Sequence, residues 1–161
     1  MSRNSYGFTM VEVIIVLLIL GMISAVAVPS IKSSLDEMKL DGAAREVISA
    51  IYYAQSIAIK EGEDHKINFN VVQDRLKCDN IVTGLTILHP VDKKPYQLDF
   101  TAAGHFQGVD IVSASFNPGN KSAVMFNNLG EPDKFGAVVL GYLGNQKTIN
   151  VALPLGKVRV N

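Results

Sequence analysis

A chain of 161 residues with fifteen basic and fifteen acidic side chains has no global field for nucleic acid or an anionic membrane, so any such binding must come from local patches. One cysteine, Cys78, excludes an intrachain disulfide, and no repeat or low-complexity tract divides the sequence. With a long N-terminal apolar segment set aside, roughly 100 residues remain, enough for one small domain with its own core.

The first predicted element runs from Phe8 to Val28, where Glu12 is the only charged side chain. As a helix rising ~1.5 Å per residue, this stretch reaches roughly 31 Å, about the thickness of a bilayer's hydrocarbon core. A carboxylate at the centre of such a span costs about 2.5–3.5 kcal/mol, and less near the interface, so Glu12 is expected to have a cationic partner. No cation follows until Lys32, and the nearest candidate is the α-amine that a cut between Gly7 and Phe8 would create. Arg3, ahead of the span, keeps the N-terminus cytoplasmic, which sends the remainder to the periplasm. A secretory signal ending at Ala25-Val26-Ala27 fits less well, because the apolar run is too long for one and carries Glu12. An ordinary single-pass anchor explains the length but neither the carboxylate nor the Gly-Phe junction.

Gly7-Phe8-Thr9-Met10-Val11-Glu12, the apolar run behind it and Pro29 resemble the N-terminus of a type IV prepilin or pseudopilin. The resemblance implies a leader at residues 1–7 that a prepilin peptidase removes, and a mature chain that begins at N-methylated Phe8. It implies a transmembrane and filament-core helix over 8–29, with Phe8, Glu12 and Pro29 serving assembly. In that scheme Glu12 neutralises the Phe8 amine of a neighbouring subunit. The partners it implies are other pilin or pseudopilin subunits, the peptidase and an inner-membrane assembly platform. The protein would sit in the inner membrane as a single-pass chain and join a filament when assembled.

Pro29 removes one backbone donor and is expected to bend or loosen the helix. An amphipathic helix follows over 30–62, with Leu40, Ala44, Val47, Ile51, Ala54 and Ala58 at spacings of three and four, and with Ile48 and Tyr52 widening the stripe. Gly62 is the expected stop, and Gly42 weakens the pattern by about 1 kcal/mol relative to Ala. From 63 to 161 the pattern becomes that of a β-sheet domain. Strands are expected at 67–71, paired back with 75–78, then at 96–100, 109–115 and 123–126, the last ending at the turn Asn127-Asn128-Leu129-Gly130. A hairpin of 137–143 and 148–153 across Gly144-Asn145-Gln146 and a terminal strand at 156–160 complete it. One long helix followed only by strands predicts an α+β fold, the helix packed on an antiparallel sheet.

The segment from Ala43 to Ile51, with Ala54, Ala58 and Ile59, is similar to the helix of the GspH/FimT group of minor pilins and pseudopilins. Phe126, Gly130, the hairpin and Gly156-Lys157-Val158-Arg159-Val160 resemble that group's C-terminal block, whereas residues 77–120 fall outside the resemblance. The resemblance and the missing disulfide loop favour a minor subunit, of a type II secretion pseudopilus or a type IV pilus. Some FimT-like members bind DNA through a basic tail, so an alternative role is DNA uptake, with Lys157, Arg159 and Lys147 touching a phosphate backbone. The competing reading makes Lys157 and Arg159 a charged guard on an edge strand.

No catalytic constellation is present. His65, His89 and His105 lie far apart and read as surface or turn residues, Cys78 has no partner, and no metal spacing occurs. The chain is therefore expected to be no enzyme and to need no cofactor or metal.

Overall fold

The computed structural model describes residues 7–153 and 156–160, with the backbone alone described at Pro29. Helix α1 spans Met10–Glu61. Eight strands follow: β1 His65–Asn70, β2 Arg75–Asn80, β3 Gln97–Asp99, β4 Asp110–Asn117, β5 Ala123–Phe126, β6 Phe135–Tyr142, β7 Asn145–Ala152 and β8 Lys157–Val160. The chain divides between Asp36 and Glu37 into two compact units.

In the first unit the apolar residues of α1 bury against nothing. Large side chains from Met10 to Val28 are 47–81% exposed, and the segment is long and apolar enough to cross a membrane. Its one hydroxyl past the first turn is satisfied internally, since Ser24 Oγ donates to the Leu20 carbonyl at 2.8 Å. The backbone stays helical through Pro29, whose side chain lies outside the described residues. The expected leader at 1–7 lies outside them too, apart from Gly7.

The second unit closes on itself. Leu40, Ala44, Val47, Ile51, Ala54 and Ala58 are buried, as their spacing predicts, and Ala43 and Ala50 join them. Tyr52 departs from the expected stripe and is exposed. The next residue, Tyr53, turns inward instead, donating its hydroxyl to the Leu88 carbonyl at 2.9 Å and meeting Tyr96 edge-on at 5.4 Å. One residue turns a helix by roughly 100°, which is the whole difference. Gly42 keeps its place because Phe106 occupies the space beside it: an added Cβ would lie 2.8 Å from Cε1 of that ring. The helix ends where expected, with Gly62 at φ +71° and its N–H donated to the Ala58 carbonyl at 2.9 Å.

The α+β architecture is as predicted, but the strands form two four-stranded sheets, ordered β3-β2-β1-β5 and β4-β6-β7-β8. Every described pairing is antiparallel. Ile67, Phe69, Leu76, Cys78, Val124 and Phe126 face inward from the first sheet, and Ile111, Phe116, Val138, Leu140, Ile149 and Val151 from the second. Phe69 and Phe116 stack at 5.7 Å and join the two inner faces. The loop between β6 and β7 is two residues, Leu143-Gly144, both at positive φ, so Asn145 and Gln146 belong to β7 and not to the turn.

Asn and Asp side chains close several strands. Asn70 Oδ1 accepts the N–H groups of Val72 and Gln73, and Asn80 Oδ1 those of Val82 and Thr83. Asp99 Oδ1 does the same for Thr101 and Ala102, and Asn127 Oδ1 for Leu129 and Glu131. Each sheet edge also carries a distinct obstacle. β3 has three residues, β4 bulges between Ile111 and Ser113, and β8 carries Lys157 and Arg159. Along β5, the Met125 N–H and carbonyl are both taken by Asp133, at 2.8 and 2.9 Å.

Candidate functional site: the start of the helix

Gly7 and Phe8 precede α1 and are exposed, and a Cβ added at Gly7 would meet no heavy atom within 4 Å among the described residues. Thr9 sits at the N-cap, and its Oγ1 accepts the Glu12 N–H at 3.2 Å. Its carbonyl accepts the Val13 N–H at 3.2 Å, closing the first turn. Thr9-Met10-Val11-Glu12 therefore has the spacing of a capping box, with Glu12 at the third helical position. A carboxylate there lies against the positive end of the helix macrodipole, which stabilises it by a few tenths to about 1 kcal/mol. Sequence reasoning on the membrane-length run misses Thr9, although the spacing signals it directly. The cap holds the Gly7-Phe8 junction, the helix start and Glu12 within one turn.

The structure does not bring the three basic candidates together. Lys157 and Arg159 are exposed on β8, paired in register with Ala152 and Asn150, so they share the outward face of the second sheet. Lys147 shares the opposite face with the buried Ile149 and Val151 and forms an ion pair with Asp41 of α1. That pairing takes Lys147 away from the outward face. Nearby, Lys39 Nζ donates to the Gln107 carbonyl at 2.6 Å and lies 4.3 Å from the Tyr142 ring centre.

His65 corrects the expectation of a surface or turn histidine. It is fully buried at the start of β1, with Nδ1 2.9 Å from the Glu63 carbonyl and Nε2 3.1 Å from Glu61 Oε2. The Glu61 contact is close but lies off the line of a hydrogen bond. The ring thus ties the last turn of the helix to the first strand. His105 is exposed, and His89 lies edge-on to Tyr96 at 4.8 Å with Asp92 3.1 Å from Nδ1.

Burial pushes the Cys78 thiol up to about 12, Asp79 adding in the same direction, so the thiolate a nucleophile requires is suppressed. Burial likewise raises the Tyr96 phenol, with Glu46 as the next contributor. Among the described residues no group of three His, Cys, Asp or Glu side chains is placed to hold a metal ion.

The family model described as the prokaryotic N-terminal methylation motif matches residues 2–28. No curated protein sequence matches the chain. Among solved structures it is similar to the minor pseudopilin EpsH from the Type 2 Secretion System of Vibrio cholerae, with a TM-score of 0.57 and 16% identity, covering 76% of this chain and 96% of that one. It is also similar to the type IV minor pilin FimU of Pseudomonas aeruginosa, with a TM-score of 0.54 and 16% identity, covering 78% of this chain and 90% of that one. At such identity the likeness speaks for the fold, and the methylation motif speaks for the N-terminus. Together they give the chain an N-terminal methylation motif at the head of a fold similar to those of EpsH and FimU.

Proposed function

We propose that the chain is a minor pilin or pseudopilin, a structural subunit of a type IV filament system and not an enzyme. Before assembly, residues 8–28 anchor it in the inner membrane, with Arg3 on the cytoplasmic side and the β domain in the periplasm. The prepilin peptidase cuts after Gly7 and methylates the Phe8 amine. In the filament, Glu12 of one subunit meets the Phe8 amine of the next. Pairing removes two separate desolvation costs and sets the axial register of helices whose apolar faces specify register poorly.

The observation that carries this reading is the start of the helix. A capped first turn presents a scissile junction and a carboxylate together, ahead of a membrane-length apolar surface that nothing in its own unit covers. Intact mass of the protein purified from membranes tests it. Loss of Met1–Gly7 and gain of one methyl at Phe8 are expected, whereas a mature terminus at Val28 would return the segment to ordinary secretion. Gly7→Val should block the cut, and because that Cβ clashes with nothing among the described residues, the block would report on the peptidase.

A second reading, contact with a phosphate backbone, is favoured only by the shared exposed face of Lys157 and Arg159. It predicts salt-dependent oligonucleotide binding that disappears in Lys157→Ala with Arg159→Ala.

A further inference from the structure

The outer face of the first sheet holds a groove of about 640 Å³, walled on one side by the turn after β2 and on the other by the segment that covers β5. Lys66, Lys121 and Lys134 line it, together with the carboxylates of Asp79 and Asp133. Both carboxylates are already engaged. Asp79 accepts from Asn68 Nδ2 at 3.0 Å and Thr86 Oγ1 at 2.9 Å, and lies 3.3 Å from Lys77 Nζ. Asp133 is held by the Met125 N–H and pairs with Lys134.

Lys66 stands in register between Asp79 and Met125, in the middle of the groove, and Lys121 stands at its edge. Neither has an ion-pair partner among the described residues. Two lysines without an ion pair among the described residues thus line one concavity in which the resident carboxylates are occupied. Ala123, Met125 and Ile81 supply an apolar floor and wall between them. Because Asp133 takes both edge groups of Met125, an incoming chain has no open strand edge to extend there and must lie across the face.

We infer that this groove is a docking site for an acidic segment of a neighbouring subunit, whose carboxylates pair with Lys66 and Lys121 while an apolar side chain rests on Met125. Charge complementarity selects the occupant's sign, and the apolar floor selects a protein segment over a phosphate backbone. The inference rests on the filament reading and adds a lateral contact, distinct from the pairing at Glu12.

Carbodiimide coupling tests it, because the reagent condenses a touching ammonium and carboxylate into an amide. Applied to sheared filaments containing the full chain, it should join Lys66 or Lys121 to an Asp or Glu of another pilin-like subunit, identified by peptide mass spectrometry. Lys66→Glu with Lys121→Glu should abolish that link and lower incorporation about tenfold or more, since like charges across a contact cost several kcal/mol. Its domain should melt as the wild type does. Lys66→Arg with Lys121→Arg should lose the link but keep incorporation. Links only to the chain's own Asp79 or Asp133, or full incorporation of the charge-reversed chain, would overturn the inference and leave the filament reading standing. Oligonucleotide binding lost in the charge-reversed chain would reassign the groove to phosphate and overturn it as well. Wild-type protein absent from filaments would take both readings down.

Discussion

The two units of this chain use the same apolar residue types to opposite ends. Up to Asp36, valine, leucine and isoleucine all point outward and no core forms. From Glu37 onward a core of the same residue types is sealed between the helix and two sheets, with Val47, Ile51 and Leu140 at 0% exposure. The first unit therefore takes its free energy from whatever surrounds it, lipid or other helices, while the second carries its stability within itself. Changes in one unit should leave the property of the other untouched.

The largest effect is expected at Glu12. On the proposed pairing, Glu12→Leu should remain inserted and processed yet fail to enter filaments, by two decades or more, because removing one partner of such a buried pair would strand the other at about 3–5 kcal/mol. Its β domain should melt at the wild-type temperature. Normal recovery in sheared filaments would break the comparison at its more important side.

Phe116→Ala is the converse. Deleting a fully buried ring stacked on Phe69 should cost the domain about 3–5 kcal/mol, read by thermal or denaturant unfolding, while cleavage after Gly7 continues. Loss of cleavage with the domain's stability would show that the units are coupled.

A milder probe is Cys78. With its thiol buried and raised to about 12, alkylation at neutral pH should be negligible in the folded domain and rapid in denaturant. Fast labelling of the native protein would show that the domain opens more readily than its packing allows.

The smallest effect concerns Asp99, whose carboxyl is held below its ordinary value, first by the Thr101 hydroxyl at 2.6 Å and also by Arg75, whose Nε lies 2.8 Å away. A lowered folded value means that the contribution is present above the unfolded carboxylate value and fades as pH falls through the folded one. The stability difference between wild type and Asp99→Asn should therefore narrow on acidification, by far less than the loss at Phe116, since this pair is partly exposed.

Much of the fold is legible in the residues. The buried stripe from Leu40 to Ala58 follows helical spacing, and Asn70, Asn80 and Asn127 mark strand ends because their short side chains mimic a backbone turn. What stays hidden is long-range. Alternation along β1 shows which side is inward, yet nothing local says that His65 pairs with Phe126, the contact that places β5 in the first sheet. Residues 81–95 meet β2 through one isolated bridge, Asp79 with Thr86, and close on themselves through another, Leu88 with Pro95, and neither has a period to detect. The site divides in the same way. Gly7, Phe8, Thr9 and Glu12 are neighbours in the chain and readable from it, whereas the withdrawal of Lys147 depends on Asp41, 106 positions away.

The four guarded sheet borders have a consequence for how such a domain meets its own copies. A three-residue strand, a bulge, a pair of cations and a covering aspartate leave no long bare ribbon for another copy to zip onto. Copies of this domain should therefore stay apart even when crowded, and on the proposed reading their association would be decided at the chain's first turn.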